Sequence, residues 1–316
     1  MSASRGSAAM AAAVAVIALP GCGLGPGESS SGEATLTVTR DFGSELVLEA
    51  SERDPPESET VIRFLDREAD LTTRYGGGFV QSINGTSGQV SDGRTSDWFF
   101  FVNGIESSRG AADSEVRGGD RIWWDYRDWT DAMRVPVVVG SWPEPFAQVS
   151  AGSKRLPVRV DCETGRGACG KVAERLADEG VDASIERPTD AGGEGAAAMR
   201  VLVGPWASVR SDPVAAQLDD GPATSGVFAR FERSGGGWRA VALDQRARPA
   251  GSFAGGAGLV AGLARGTEPP TWVVTGTDET GVDAAIELLD TRDLERRYAV
   301  LVAGEGEITL PVRGPG

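Results

Sequence analysis

The side chains best equipped for chemistry in this 316-residue sequence are three cysteines, Cys22, Cys162 and Cys169; histidine is absent. Without imidazole there is no Ser-His-Asp or Cys-His relay and no zinc site that uses histidine. Three thiols fall short of a four-thiolate zinc or iron–sulfur site. A catalyst built from this chain would have to work with carboxylates. Asp120, Asp125, Asp128 and Asp131 lie close in sequence, but their spacing is not that of an EF-hand loop. Asp120 follows Gly118-Gly119 and reads as a turn residue, the others as a solvated edge. We therefore expect a non-catalytic protein with no metal or cofactor of its own. With 46 acidic and 31 basic side chains the net charge is -15, which sets the chain against nucleic-acid phosphates as partners.

Position sorts the cysteines. Residues 1–21 carry one cation, Arg5, and then an apolar run from Ala8 to Leu19. That run is too short for a helix crossing about 30 Å of hydrocarbon, and it fits the apolar core of a secretory signal. It ends in Leu19-Pro20-Gly21-Cys22, which resembles a bacterial lipobox, where the cysteine is lipidated and the chain is cut before it. The expected location is the outer face of a cell membrane, held by lipid on Cys22, since two acyl chains anchor stably where one is marginal. Residues 22–33, rich in Gly, Ser and Pro, read as a flexible tether. Outside the cytoplasm, Cys162 and Cys169 remain as an even pair and read as a disulfide.

The length suggests two domains. From residue 34 to 150 the segments are short: strands at 34–39 and 46–50, a helix over Glu59–Asp70 from the spacing of Val61, Ile62, Leu65 and Ala69, then strands at 79–85, 97–104, 120–126 and 134–140. Two strands, one helix and more strands is the order of a β-grasp, ubiquitin-like domain. Alternation puts Trp98, Phe100 and Val102 on one face of their strand, with Phe99, Phe101 and Asn103 on the other; Ile122, Trp124 and Tyr126 likewise oppose Trp123 and Asp125. One helix covers one face. The second aromatic face, Phe99, Phe101 and Trp123 edged by Asn103 and Asp125, must meet the other domain, a partner or a ligand.

Three stretches carry a resemblance: Tyr75-Gly-Gly-Gly-Phe79-Val80-Gln-Ser82-Ile83-Asn84-Gly85, Trp98-Phe-Phe-Phe-Val102-Asn103-Gly104 and Gly119-Asp120-Arg-Ile122-Trp123-Trp124-Asp-Tyr126. In order and spacing, residues 34–149 resemble the transcobalamin-like C-terminal domain family. The resemblance implies a β-grasp fold, often on lipid-anchored or secreted bacterial proteins. In the family's namesake such a domain closes over one face of a corrin ring, which makes a corrinoid the implied ligand; a membrane transporter is the other partner we expect of such a binding protein.

Trp142-Pro143-Glu144-Pro145 and Ser150–Ser153 read as a linker. Residues 151–316 alternate strands with helices, including a helix from Asp212-Pro213 to Gly221, a small-residue helix over Ala257–Arg265 and a helix capped by Thr277. That alternation predicts a three-layer α/β domain. The combined expectation is a lipid-anchored, extracytoplasmic binding protein. The rival classes are a structural or protein-interaction module of the envelope and an enzyme using paired carboxylates.

Overall fold

The computed structural model describes residues 29–74, 78–148, 155–187 and 197–314. The leader, Cys22, residues 75–77 of the first glycine-rich stretch and the second half of the expected linker lie outside them. The fold is mixed α and β, and mostly sheet. In the first unit, strand Glu33–Arg40 pairs antiparallel with Glu45–Arg53 and parallel with Arg121–Asp128. The sheet continues through Arg94–Val102 to Gln89–Ser91. Helix Val61–Glu68 follows Pro55-Pro56 and is capped by Thr60, whose hydroxyl accepts from the Arg63 N–H. It buries Val61, Phe64 and Leu65 against Leu36, Val38, Trp98, Ile122 and Trp124, the face opposite Phe101 and Trp123. Asn103-Gly104, at the end of the Arg94–Val102 strand, has positive φ at both residues, as a tight hairpin of that length requires. The expected tether is shorter than 22–33. By Ser30 the chain is already bound, its N–H donating to the Pro55 carbonyl at 3.0 Å.

The second unit is built on a seven-stranded sheet. Its order is Ala183–Glu186, Val158–Cys162, Met199–Pro205, Thr271–Gly276, Gly258–Leu263, Ala299–Ala303, Gly306–Leu310. The first four strands are parallel and the last three antiparallel. Helices Arg166–Asp178 and Glu279–Glu287 cover one face. The other face is covered by a three-stranded sheet, Ala229–Ser234, Gly237–Leu243 and Pro249–Ala254, together with the first unit. The layers are therefore helix, sheet, sheet. Cys162, ending one strand, is bonded to Cys169 in the adjoining helix, a closure of 7 residues in sequence. Chain entropy assigns so short a loop about 2.5 kcal/mol.

Several expected elements take another form. Ala257–Arg265 is not a helix but the strand Gly258–Leu263, all of it buried. A short apolar run covered on both faces carries no periodicity to tell strand from helix. Gly258 has a packing role, since a Cβ there would lie 2.1 Å from the Gly281 carbonyl oxygen and push away the Glu279–Glu287 helix. Asp278, not Thr277, caps that helix, accepting from the Gly281 N–H. Thr277 instead accepts from the Ala257 N–H at 3.1 Å. After Asp212-Pro213 only a 3-10 turn forms, Ala215–Asp220.

The segment 132–146 is neither a ladder strand nor an exposed linker. Residues 136–138 meet the first unit through single contacts: Glu106 N–H donates to Pro136, and Val138 N–H to Gly104. Val139 N–H donates to Tyr298 of the second unit. Val135 and Val138 enter one core, while Val137, Val139, Trp142 and Phe146 enter the other. Trp142 and Phe146 pack on Trp272, with ring centroids 5.5 and 5.2 Å away. Prolines at 143 and 145 signalled a break in the sequence. The aromatic residues around them decided the outcome, because burying each ring is worth several times a turn preference.

Candidate functional site

Phe101 and Trp123 sit opposite each other in register on neighbouring strands and are both buried. The covering group is Tyr298 of the second unit, edge-on to Trp123 at 5.3 Å and to Phe101 at 5.7 Å. Phe42 joins them, 5.1 Å from Tyr298 and 5.3 Å from Phe228. Phe99, the third aromatic of the face, lies 3.9 Å below the buried Arg127 guanidinium. Asn103 is buried and bonded within its own turn. Its amide donates to Asp120 at 2.7 Å and its carbonyl accepts from the Arg121 N–H, which locks the turn. The second aromatic face is thus the contact between the two units.

Asp125 does not lie on a solvated edge: it is fully buried at the centre of this contact. Its carboxylate accepts from Thr39 Oγ1 at 2.6 Å, Tyr298 OH at 2.8 Å, and the N–H groups of Phe42 and Gly43 at 3.1 Å each. The two amides are presented by a turn in which Asp41, Phe42 and Gly43 all have positive φ. For the two non-glycine residues that conformation is costly, and an anion at the concave side offsets it. Burial pushes the Asp125 carboxyl up to about 6, against the pull of its hydrogen bonds and of Arg127. Asp128 and Asp131 do stand nearer the surface, where both pair with Arg94.

Beside the aromatic contact the same sheet face turns polar. Ser51, Thr35 and Arg121 form one rank across three strands, and Glu49, Thr37 and Trp123 the next. These side chains floor a cleft of 850 Å³ whose far wall is Ser141, Glu144, Gln148, Glu295 and Arg296. The wall comes close because a Cβ on Gly43 would lie 1.9 Å from the Arg296 carbonyl oxygen. Glu144 is only 3% exposed. One carboxyl oxygen accepts from the Gln148 N–H at 2.6 Å, and it joins no ion pair among the described residues. Burial raises its carboxyl to about 7, with Arg121 opposing and Asp120 reinforcing. Near neutral pH this group can therefore donate as well as accept a hydrogen bond. The lining as a whole suits a ligand rich in hydroxyl or amide groups.

Sequence reasoning missed this cleft. Glu144 stands between Pro143 and Pro145, in a stretch whose composition reads as a linker. The alternation of Thr35 and Thr37 with Leu36 and Val38 marks a partly open polar face on the first strand, whereas Thr39, of the same parity, is buried in the contact between the units. No group of metal-ligating side chains occurs among the described residues.

Residues 58–128 match a family described as "Domain of unknown function (DUF4430)". The match runs from the first helix through the Arg121–Asp128 strand, well under half of the chain. No curated protein matches. Among solved structures, one from Ruminococcus gnavus, described as "a putative metal binding protein", is 17% identical, with 31% of this chain and 98% of that chain covered and a TM-score of 0.24. The chain is thus similar over residues 58–128, part of its first unit, to a family whose description names no activity.

Proposed function

We propose that the chain is a non-catalytic, extracytoplasmic binding protein, anchored by lipid on Cys22, that holds a polar small molecule in the cleft between its two units. The carrying observation is Glu144: a buried carboxyl that joins no ion pair among the described residues, on the wall of an 850 Å³ cleft. Burial raises its carboxyl to about 7, so beyond the bond it takes from the Gln148 N–H it can offer a ligand a proton as well as accept one near neutral pH. The volume falls within the range of about 300–1,000 Å³ usual for ligand sites. The Cys162–Cys169 disulfide supports an oxidising compartment. We read the first unit as a β-grasp domain and the second as an α/β domain, and the resemblance to transcobalamin-like domains makes a corrinoid the first ligand to try. Its amide-bearing rim, rather than its flat face, would meet the cleft, because the aromatic face is closed by Tyr298.

Corrinoids are coloured, and Trp123 lines the cleft, so a cobalamin titration followed by tryptophan quenching tests the ligand directly. Saturable quenching at micromolar cobalamin is expected. Glu144→Gln should weaken it about tenfold, the scale of one lost hydrogen bond to a charged or protonatable group. It should also flatten the dependence of binding on pH around 7. No quenching in the parent protein would remove the corrinoid and leave a protein partner, such as a membrane transporter, as the occupant. Anchoring is tested separately. Cys22→Ala should move the protein out of the membrane fraction or leave it unprocessed, and a variant that is cut and still sediments with membranes would overturn the lipid anchor.

A further inference from the structure

We propose that the outer strand of the first unit, Glu45–Arg53, is an interface on which a second copy of this chain adds its own Glu45–Arg53 strand, antiparallel, across a twofold axis at Ser51. This strand ends its sheet, with Glu33–Arg40 on one side and no strand on the other among the described residues. At 9 residues it is the longest strand at any described sheet edge. Its edge groups can be assigned from the ladder. The Glu33 carbonyl accepts from the Gly119 N–H at 3.0 Å, and the Thr35 N–H donates to the Asp120 carbonyl at 2.9 Å. The odd-numbered residues at this end of Glu33–Arg40 therefore bond away from the outer strand. The Asp54 N–H donates to the Gly32 carbonyl at 2.7 Å, which makes Ala34 with Glu52 and Leu36 with Ala50 the bonded pairs. Glu49, Ser51 and Arg53 thus turn their N–H and C=O groups to the open side, and all three residues are exposed. Such a row is a template for another strand, and the usual guards, lysine and proline, are missing from it.

Charge and the limits of the strand pick the occupant. At one end Val47 is bulged out of the ladder, since Val38 pairs with Leu48 and Thr39 with Leu46. At the other end Asp54 has a positive φ and Pro55-Pro56 follow. Between these limits the outward residues are centred on Ser51. Soluble dimers usually close by a twofold axis, which sets two copies of one strand antiparallel. With Ser51 opposite Ser51, Glu49 of each copy stands opposite Arg53 of the other. Sliding by two residues either way sets Glu49 against Glu49 or Arg53 against Arg53, which is unfavourable. The strand's other acids, Glu45 and Glu52, pair with Arg40 and Arg67, whereas Glu49 and Arg53 join no ion pair among the described residues. Glu33, which faces Arg53 within the sheet, instead accepts from Ser51 Oγ at 2.7 Å. A wholly acidic edge would call for a basic partner; one charge of each sign, in this order, is complementary to itself. Glu49 and Ser51 also border the cleft, so the second copy's Arg53 would stand at its rim. The dimer does not depend on a ligand in that cleft.

Sedimentation equilibrium of the full chain should show monomer and dimer exchanging in the micromolar range. Glu49→Arg and Arg53→Glu should each weaken self-association about tenfold or more, because each sets like charges together at both ends of the paired strands. Mixed, the two variants should form a heterodimer, in which every opposed pair again has opposite signs. Carrying both changes in one chain should restore the homodimer. Amide hydrogen exchange reads the register in the unaltered protein. The N–H groups of Glu49, Ser51 and Arg53 should exchange more slowly as protein concentration rises, while those of Ala50 and Glu52, already bonded within the sheet, stay unchanged. A chain that remains monomeric throughout the micromolar range would overturn the proposal and leave the edge to a strand from another protein. A dimer indifferent to both charge reversals, or outward amides that exchange at one rate at every concentration, would overturn it equally.

Discussion

Phe101→Ala is expected to lower the free energy of unfolding by about 3–5 kcal/mol, near the top of the range for emptying a packed aromatic site. The ring is fully buried where the first unit's sheet meets the second unit. Trp123 flanks it at 5.6 Å and Tyr298 at 5.7 Å. Trp123 is held by a strand on each side, and Tyr298 by its hydroxyl bond to Asp125. With its neighbours fixed, the gap left by alanine cannot close, and the cavity adds to the lost transfer energy. Denaturant unfolding followed by tryptophan fluorescence measures the effect. A loss within the roughly 0.5 kcal/mol of an ordinary surface change would mean that the units part in solution and the face is open.

The second large effect is a change in how stability varies with pH, and it belongs to Asp125. Its carboxyl titrates at about 6 in the folded protein and near its ordinary value of 3.8 in the unfolded chain. A raised carboxyl binds its proton more tightly when folded. The stability it contributes is complete below the unfolded value and is lost as pH rises through the folded one. The parent protein should therefore lose up to about 3 kcal/mol between roughly pH 4 and 6 from this group alone. Glu144 acts with the same sign up to about pH 7. Subtracting the curve of Asp125→Asn from that of the parent isolates Asp125. The variant should also be weaker throughout, because an amide cannot accept from four donors and leaves its own N–H groups without acceptors. A flat difference curve between pH 4 and 6 would show that the four hydrogen bonds hold the carboxylate at its ordinary acidity.

How far the sequence could be read depended on whether each residue's role was local. The spacing of Val61, Ile62, Leu65 and Ala69 marks the first helix within Glu59–Asp70, because a helical stripe is decided within a few residues; the structure trims it to Val61–Glu68 behind the Thr60 cap. The two parities of Trp98, Phe100 and Phe99, Phe101 were legible for the same reason. Which parity met the helix, and what covered the other, depended on Tyr298, nearly two hundred positions away. The same holds for the cleft. Glu144 is a cleft residue only because Trp142 and Phe146 anchor its segment on Trp272. Gly258–Leu263 looked helical because it is small and apolar. It became a strand because both faces of the sheet around it are covered.

The bond from Tyr298 to Asp125 spans 173 positions. A ribosome adding about 5–20 residues per second needs roughly 9–35 s to make that stretch. Throughout that interval Phe101 and Trp123 have been made and their cover has not. A chain emerging N-terminus first therefore presents an aromatic surface beside a half-formed anion nest for many times the microseconds that hairpins need to close. The late arrival of one tyrosine makes this protein a natural client for whatever shields nascent chains, and it makes truncation before residue 298 a route to aggregation rather than to a smaller stable domain.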